Sequence, residues 1–109
     1  MEWQIEYLPE ALDDLKKLDG SVRLRAVKAI RKVKTNPLPQ SKGGYGKPLG
    51  NRSGTDLSGL MKVKLRSDGI RIVYKLVEKN GVMRVVVIGM RSDADVYREA
   101  LKRKLDYGM

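Results

Sequence analysis

Residues 60–75 read LMKVKLRSDGIRIVYK, two runs of alternating apolar and basic residues joined through Ser-Asp-Gly. Strand side chains alternate between faces, so Met61, Val63 and Leu65 share one side while Lys62, Lys64 and Arg66 share the other. Asp68-Gly69 is a hairpin-turn dipeptide. A two-residue turn there pairs Ser67 with Ile70, Arg66 with Arg71, Leu65 with Ile72 and Lys64 with Val73. This register sends Ile72 and Tyr74 to the apolar side, and Arg71 and Lys75 to the side of the lysines. A three-residue turn would drive Arg71 into the core, where an unpaired guanidinium is costly, so the first register is expected. The second face then holds Lys62, Lys64, Arg66, Arg71 and Lys75 with no acid among them. Direct like-charge neighbours in a sheet cost about 0.2–1 kcal/mol per pair, a repulsion that a bound polyanion would offset. Two readings stay open for such a face: the solvated side of a basic protein, or a surface for nucleic acid.

The same logic extends in both directions. After Asn80-Gly81, residues 82–89 (VMRVVVIG) are almost continuously apolar, as a central strand would be. Strands over 60–67, 70–78 and 82–89 therefore form a meander. Residues 92–105 begin with Ser92 and Asp95 in a capping-box-like pattern and read as a helix. At the other end, Trp3, Ile5 and Tyr7 alternate with Gln4 and Glu6 as in a half-buried strand. A helix follows, with Pro9 in its first turn, acids early, lysines late, and Leu8, Ala11, Leu12 and Leu15 on one face. Ser21 is placed to cap a second helix, whose Val22, Ala26, Val27, Ile30 and Val33 keep helical spacing until the prolines of TNPLP stop it. Residues 36–58 are polar and rich in Gly and Pro, with Tyr45, Leu49 and Leu57 as their anchors, and read as a surface loop. The expected fold is α+β: a small, antiparallel-rich twisted sheet, made of the N-terminal strand and the C-terminal three-strand meander. An N-terminal helical hairpin covers one face, and a C-terminal helix completes the fold.

With 109 residues, the chain is expected to be a single domain over 1–109. Its formal net charge of +10 is uneven: residues 1–20 carry six acids against two lysines, net −4, leaving +14 on residues 21–109. The larger part calls for an anionic partner. There is no cysteine and no histidine, which excludes disulfides, thiolate nucleophiles, the usual zinc sites and His-based acid–base chemistry. Any catalysis must run on Lys, Arg, Tyr, Asp or Glu. No stretch approaches the roughly 18–20 apolar residues that span a bilayer, and the N-terminus lacks a basic start followed by an apolar run. A soluble, cytoplasmic protein with no membrane partner is expected.

K-x-K-L-R at 62–66, G-x-R-x-V-Y at 69–74, Arg91 after the last strand and V-Y at 96–97 together resemble the RelE toxins of bacterial and archaeal toxin–antitoxin pairs, within the RelE/ParE superfamily. The likeness covers most of the chain. It implies a ribosome-dependent endoribonuclease, an mRNA interferase that cleaves messenger RNA in the A site without metal or cofactor and so inhibits translation. It also implies a cognate antitoxin partner, with a free toxin that is monomeric and becomes hetero-oligomeric with that antitoxin. Family behaviour further implies that the antitoxin wraps this surface and displaces or distorts the last helix, moving Tyr97. The family's functional set falls here on Lys62, Lys64, Arg71, Arg91 and Tyr97, while Arg66 and Lys75 complete the cationic face as RNA-binding residues. Some relatives use His and Glu at the site; this chain supports only the Lys/Arg version. The alternatives are a ParE-like inhibitor of DNA gyrase and a non-catalytic RNA-binding or degenerate toxin.

The implied chemistry is attack of a ribose 2′-hydroxyl on its own 3′ phosphate, giving a 2′,3′-cyclic phosphate and a 5′-hydroxyl end. Lys62 and Lys64 share proton acceptance and phosphate neutralisation, since cationic neighbours disfavour a charged lysine. Arg71 grips the phosphate in bidentate fashion, Arg91 supports the leaving oxygen, and Tyr97 stacks on or orients a base. Without the resemblance, Tyr97 reads equally well as core, because Tyr97, Leu101 and Leu105 lie at i, i+4 and i+8. Arg91 on the same terms is a surface charge beside a helix. The basic residues of the second helix, Arg23, Arg25, Lys28, Arg31, Lys32 and Lys34, read as a solvated face or as contacts to ribosomal RNA phosphates.

Overall fold

The structure, a computed structural model, describes residues 3–52, 55–66, 69–90 and 92–109. In chain order the elements are β1 (Gln4–Tyr7), α1 (Pro9–Lys16), α2 (Gly20–Lys34), β2 (Lys47–Arg52), β3 (Thr55–Leu65), β4 (Ile70–Val77), β5 (Val82–Gly89) and α3 (Asp93–Asp106). The five strands form one sheet in the order β1-β5-β4-β3-β2. β1 runs parallel to β5, and every other pair is antiparallel. The α+β architecture and antiparallel-rich sheet expected from the sequence are present, with one more strand than expected. No helix among the described residues is long and apolar enough to cross a membrane.

The extra strand lies in the segment read as a loop. Residues 47–60 instead build β2 and the first half of β3, with Leu49 and Leu57 buried and Tyr45 left 42% exposed. The hairpin was hidden because its alternation is broken twice. Gly50 (φ 59°) and Gly59 (φ 86°) adopt left-handed backbone, and the β2–β3 register slips between Pro48 and Gly50. Such irregularities turn side chains out of the period of two.

Between β3 and β4 the two-residue turn is not formed. Leu65 pairs with Ile70 and Lys64 with Arg71, so the connection spans residues 66–69; Ser67 and Asp68 lie outside the described residues. Gly69, at φ 68°, donates its N–H to Leu65 O at 2.8 Å. Loops of two and four residues have the same parity, so the pairing moves by two positions while every side chain keeps its expected face.

The apolar face turns toward the N-terminal hairpin. Tyr74, fully buried, donates Oη to Pro37 O at 2.8 Å just beyond α2. A Cβ at Gly46 would collide with that same hydroxyl. Leu8, just ahead of α1, and Ala11 within it are buried while Leu12 stays 39% exposed, departing from the expected stripe. Ser21 does not cap α2, which starts at Gly20 behind Asp19 with no side-chain cap. Arg23 does the work of this corner, donating to the carbonyls of Leu15, Lys16 and Leu18 at 3.0–3.1 Å and so closing the C-terminal end of α1.

α3 packs on the opposite face, against β3, β4 and β5. It begins as expected, with Ser92 Oγ accepting from Asp95 N at 3.3 Å. Beneath it Leu60, Val73 and Val87 are buried. β5 is an interior strand but not the middle one; its apolar run is explained by cover on both faces and by an edge that leaves β1 behind. β1 pairs only as far as Val85, and β5 continues to Gly89. The edge groups past Val85 would be orphaned, and a buried ion pair satisfies two of them. Asp14 of α1 accepts Ile88 N at 3.1 Å, while Arg103 of α3 donates to Val86 O at 2.8 Å and to Asp14 at 2.6 and 3.2 Å. Glu99 takes the Nε of Arg103 at 3.0 Å.

With both charges and the strand edge satisfied by one another, removal of either partner leaves the rest of this network stranded. Replacing Arg103 by Met strands a carboxylate and a carbonyl, and loss of one partner of a buried pair costs about 3–5 kcal/mol. Urea unfolding of Arg103→Met should show that loss; a change under about 1 kcal/mol would mean the edge is satisfied in another way.

Candidate RNA-cleavage site

The site begins with register. Lys64 stands opposite Arg71, Lys62 opposite Val73, and on its other side Lys62 pairs with Lys47 of β2. Directly opposed Cα atoms in antiparallel strands lie about 4.5–5.5 Å apart, so three strands bring four cations into two adjacent rows. Val73 contributes no charge and is buried, which lets α3 come down on the sheet at that point.

The first turns of α3 supply the rest. Asp93, at the first helical position, favours the positive end of the helix dipole. Its Oδ1 accepts from Arg71 Nε, and Arg71 Nη1 donates to Gly69 O at 2.9 Å. The Arg71 side chain is 14% exposed and that of Asp93 45%, so the guanidinium is sheltered while water still reaches the carboxylate. The hydrogen bond from Arg71 holds the Asp93 carboxyl below its ordinary range; partial burial opposes this, and the charges of Lys62, Arg71 and Lys64 reinforce it. One turn further on, Tyr97 Oη lies 2.6 Å from Lys62 Nζ, which is also 5.4 Å from the ring centroid. The tyrosine thus contacts both the core and the lysine, joining its two sequence readings. The expected stripe ends at Leu101, because Leu105 is 69% exposed.

Lys62, Lys64, Arg71 and Tyr97 therefore converge. Lys75 does not join them: it lies four residues along β4, roughly 13 Å away at strand rise, paired with Leu60 and with Arg84, which bonds Glu6 at 2.7 Å. Arg66 is exposed just past the end of β3. Arg91 lies outside the described residues. Sequence reasoning missed Asp93 and Lys47. Asp93 lies inside the expected helix with no local pattern to single it out, and Lys47 sits in the segment read as a loop. Among the described residues no group of three or more His, Cys, Asp and Glu is placed to hold a metal ion. The cluster instead suits a phosphate: carboxylate and phosphate present the same oxygen fork to an arginine, so one can replace the other at Arg71.

The stabilisation from the Asp93–Arg71 pair has a definite pH dependence. Because the folded pKa is depressed, it is complete above the ordinary value of 3.8 and is lost as pH falls through the lowered one. Carboxyl-carbon NMR should find Asp93 titrating below 3.8, with its midpoint rising in Arg71→Ala. An unchanged midpoint would show that the pair does not form in solution.

Comparison with known proteins adds family to geometry. Residues 5–95 match the family described as the ParE toxin of type II toxin-antitoxin systems, parDE. A RelE-like toxin protein of Escherichia coli is 30% identical over 107 residues, covering 94% of this chain and 98% of its own. The mRNA interferase toxin RelE of E. coli K12 is 30% identical over 105 residues, covering 96% of this chain and all of its own. Among solved structures, a mutant E. coli RelE in the free state superposes with a TM-score of 0.71 at 28% identity, covering 94% of this chain and 98% of its own. The RelBE2 toxin–antitoxin complex of Mycobacterium tuberculosis, at 21% identity and a TM-score of 0.67, shares the fold. The chain belongs to the ParE toxin family of type II toxin–antitoxin systems, and its full-length relatives place it with the RelE-type toxins.

Proposed function

We propose that this protein is the toxin of a type II pair and acts as a ribosome-dependent endoribonuclease, cutting messenger RNA in the A site and stopping translation. The observation that carries this reading is the convergence of Lys62, Lys64, Arg71 and Tyr97 in a chain 30% identical over 105 residues to an mRNA interferase. The partner is a cognate antitoxin, as in the complexes of E. coli RelE with an antitoxin peptide. The compartment is the cytoplasm, where ribosomes work.

In the proposed reaction the 2′-oxygen forms a bond to phosphorus and the bond from phosphorus to the 5′-oxygen breaks. The 2′-proton passes to the neutral form of Lys62 or Lys64, and the departing 5′-oxygen takes a proton from Arg91, which regains it from water. Arg71 holds the phosphate after releasing Asp93, and growing charge on the phosphorane is met by the Lys64–Arg71 row. Arg91 supports the leaving oxygen. Tyr97 orients the base beside the cut, its hydroxyl already fixed on Lys62. Metal plays no part in this scheme, which uses side-chain proton transfer and cation stabilisation alone.

The family match also names ParE, which favours inhibition of DNA gyrase as the second reading. Purified protein added to programmed ribosomes separates the two. Cut message is expected, with Lys64→Ala and Arg71→Ala each losing about 10²-fold or more in rate while remaining folded. Near-wild-type cutting by both variants would overturn the assigned roles. Intact message on toxin-bound ribosomes would remove the nuclease reading, and trapped gyrase–DNA cleavage complexes would replace it with the second.

A further inference from the structure

The segment leading into β2 presents an aromatic side chain that neither the core nor the reaction site uses. Tyr45 is 42% exposed, with Lys32 Nζ of α2 5.6 Å from its ring centroid. Two residues on, Lys47 is exposed and is the cross-strand partner of Lys62. Gly46 between them faces the core: a Cβ there would meet Tyr74 Oη, Met61 Sδ and Leu38 O. Lys47 opens β2 on the side of Lys62, while Tyr45, just ahead of β2, stands exposed beside α2 at the open edge of the sheet. The backbone that carries them is pinned, with Tyr45 N donating to Asn36 O at 3.1 Å, Gly46 N to Leu38 O at 3.1 Å and Asn36 Nδ2 to Gly43 O at 3.2 Å. A rigid, exposed aromatic flanked by lysines is the arrangement that binds single-stranded nucleic acid, bases stacking on the ring and phosphates meeting the cations.

We propose that Lys32, Tyr45 and Lys47 form a second RNA subsite beside the reaction centre. Tyr45 stacks a base of the same single strand whose scissile phosphate sits at Lys62, Lys64 and Arg71, and Lys47 and Lys32 contact the phosphates on either side of that base. Lys47, the cross-strand partner of Lys62 and two residues from Tyr45, links the two places across the outermost strand of the sheet, so one strand of RNA can run from one to the other. Stacking tolerates every base, so the subsite adds affinity and register along the message with little base preference. The inference rests on the endoribonuclease reading, and the test keeps the two apart.

Single-turnover cleavage on programmed ribosomes, over a range of toxin and salt concentrations, is measured for wild type, Tyr45→Ala, Tyr45→Phe and Lys47→Ala, with thermal unfolding as the check on fold. Tyr45→Ala should raise the half-saturating toxin concentration about tenfold, as loss of one stacked base does, with the maximal rate within about twofold, the mark of a binding contact remote from the bond that breaks. Tyr45→Phe should restore binding, and Lys47→Ala should reduce the salt slope by about 0.7. Unchanged half-saturation and slope in Tyr45→Ala and Lys47→Ala overturn the subsite while leaving the nuclease intact. So does a Tyr45→Phe that behaves like Tyr45→Ala, or an effect confined to antitoxin affinity, which would make this a protein-docking surface. If wild type cuts nothing, the functional reading has failed on its own. Binding of a fluorescent single-stranded oligoribonucleotide to the free protein then decides the subsite: weaker binding by Tyr45→Ala upholds it and equal binding removes it.

Discussion

The site depends on two cations standing opposite each other, Lys64 on β3 and Arg71 on β4. Strand alternation forces them to one face, and a domain with so much positive charge has to offset their repulsion. It does so with a carboxylate from another part of the chain. Asp93 is delivered by the first turn of α3, where the helix dipole favours an acid, and takes Arg71 at its Nε. The arginine is thus engaged by a carboxylate whose oxygen geometry resembles that of a phosphate. In the proposed reaction, substrate binding is an exchange of anions at Arg71.

That arrangement works only if α3 is held in place, and the far end of the helix does this. β5 outruns β1 because Pro9 turns the chain into α1 after Tyr7. The exposed strand edge is closed by Asp14 and Arg103, one from each helix, in a pair buried enough to be poorly screened. Lys104 reaching Asp56 O at 3.2 Å and Tyr107 reaching Glu10 at 2.7 Å add exposed ties at the same end. The N-terminal turns of α3 that carry Asp93 and Tyr97 are thus set from a fixed base. A partner that dislodged the helix would have to compensate for a buried charge pair as well as for the apolar contacts of Val96 and Ala100.

What the sequence made legible was whatever follows from period. The faces of Lys62, Lys64 and Arg71 came from alternation, and the helix start at Ser92 from capping chemistry. The β3–β4 pairing came out two positions away because parity constrains face and not loop length; a two-residue and a four-residue connection look alike until the strands are seen. β2 was missed because Gly50 and Gly59 interrupt its hairpin, and Lys47 was lost with it. Asp93 and Arg103 were illegible for a different reason. Their roles are set by partners 22 and 89 residues away, and no local pattern marks an arginine that will be buried or an acid that will face a cationic row. Lys75 shows the converse limit, since sharing a face with Arg71 did not bring it to the same place.

In the proposed reaction these side chains guide an attack by the message's own 2′-oxygen. The direct measurement is the chemistry of the ends left when the protein cuts message on programmed ribosomes. Such an attack predicts a 2′,3′-cyclic phosphate on one fragment and a 5′-hydroxyl on the other, and no cutting when the nucleotide before the break carries a 2′-deoxyribose. A 5′-phosphate end, or undiminished cutting of the 2′-deoxy message, would contradict it.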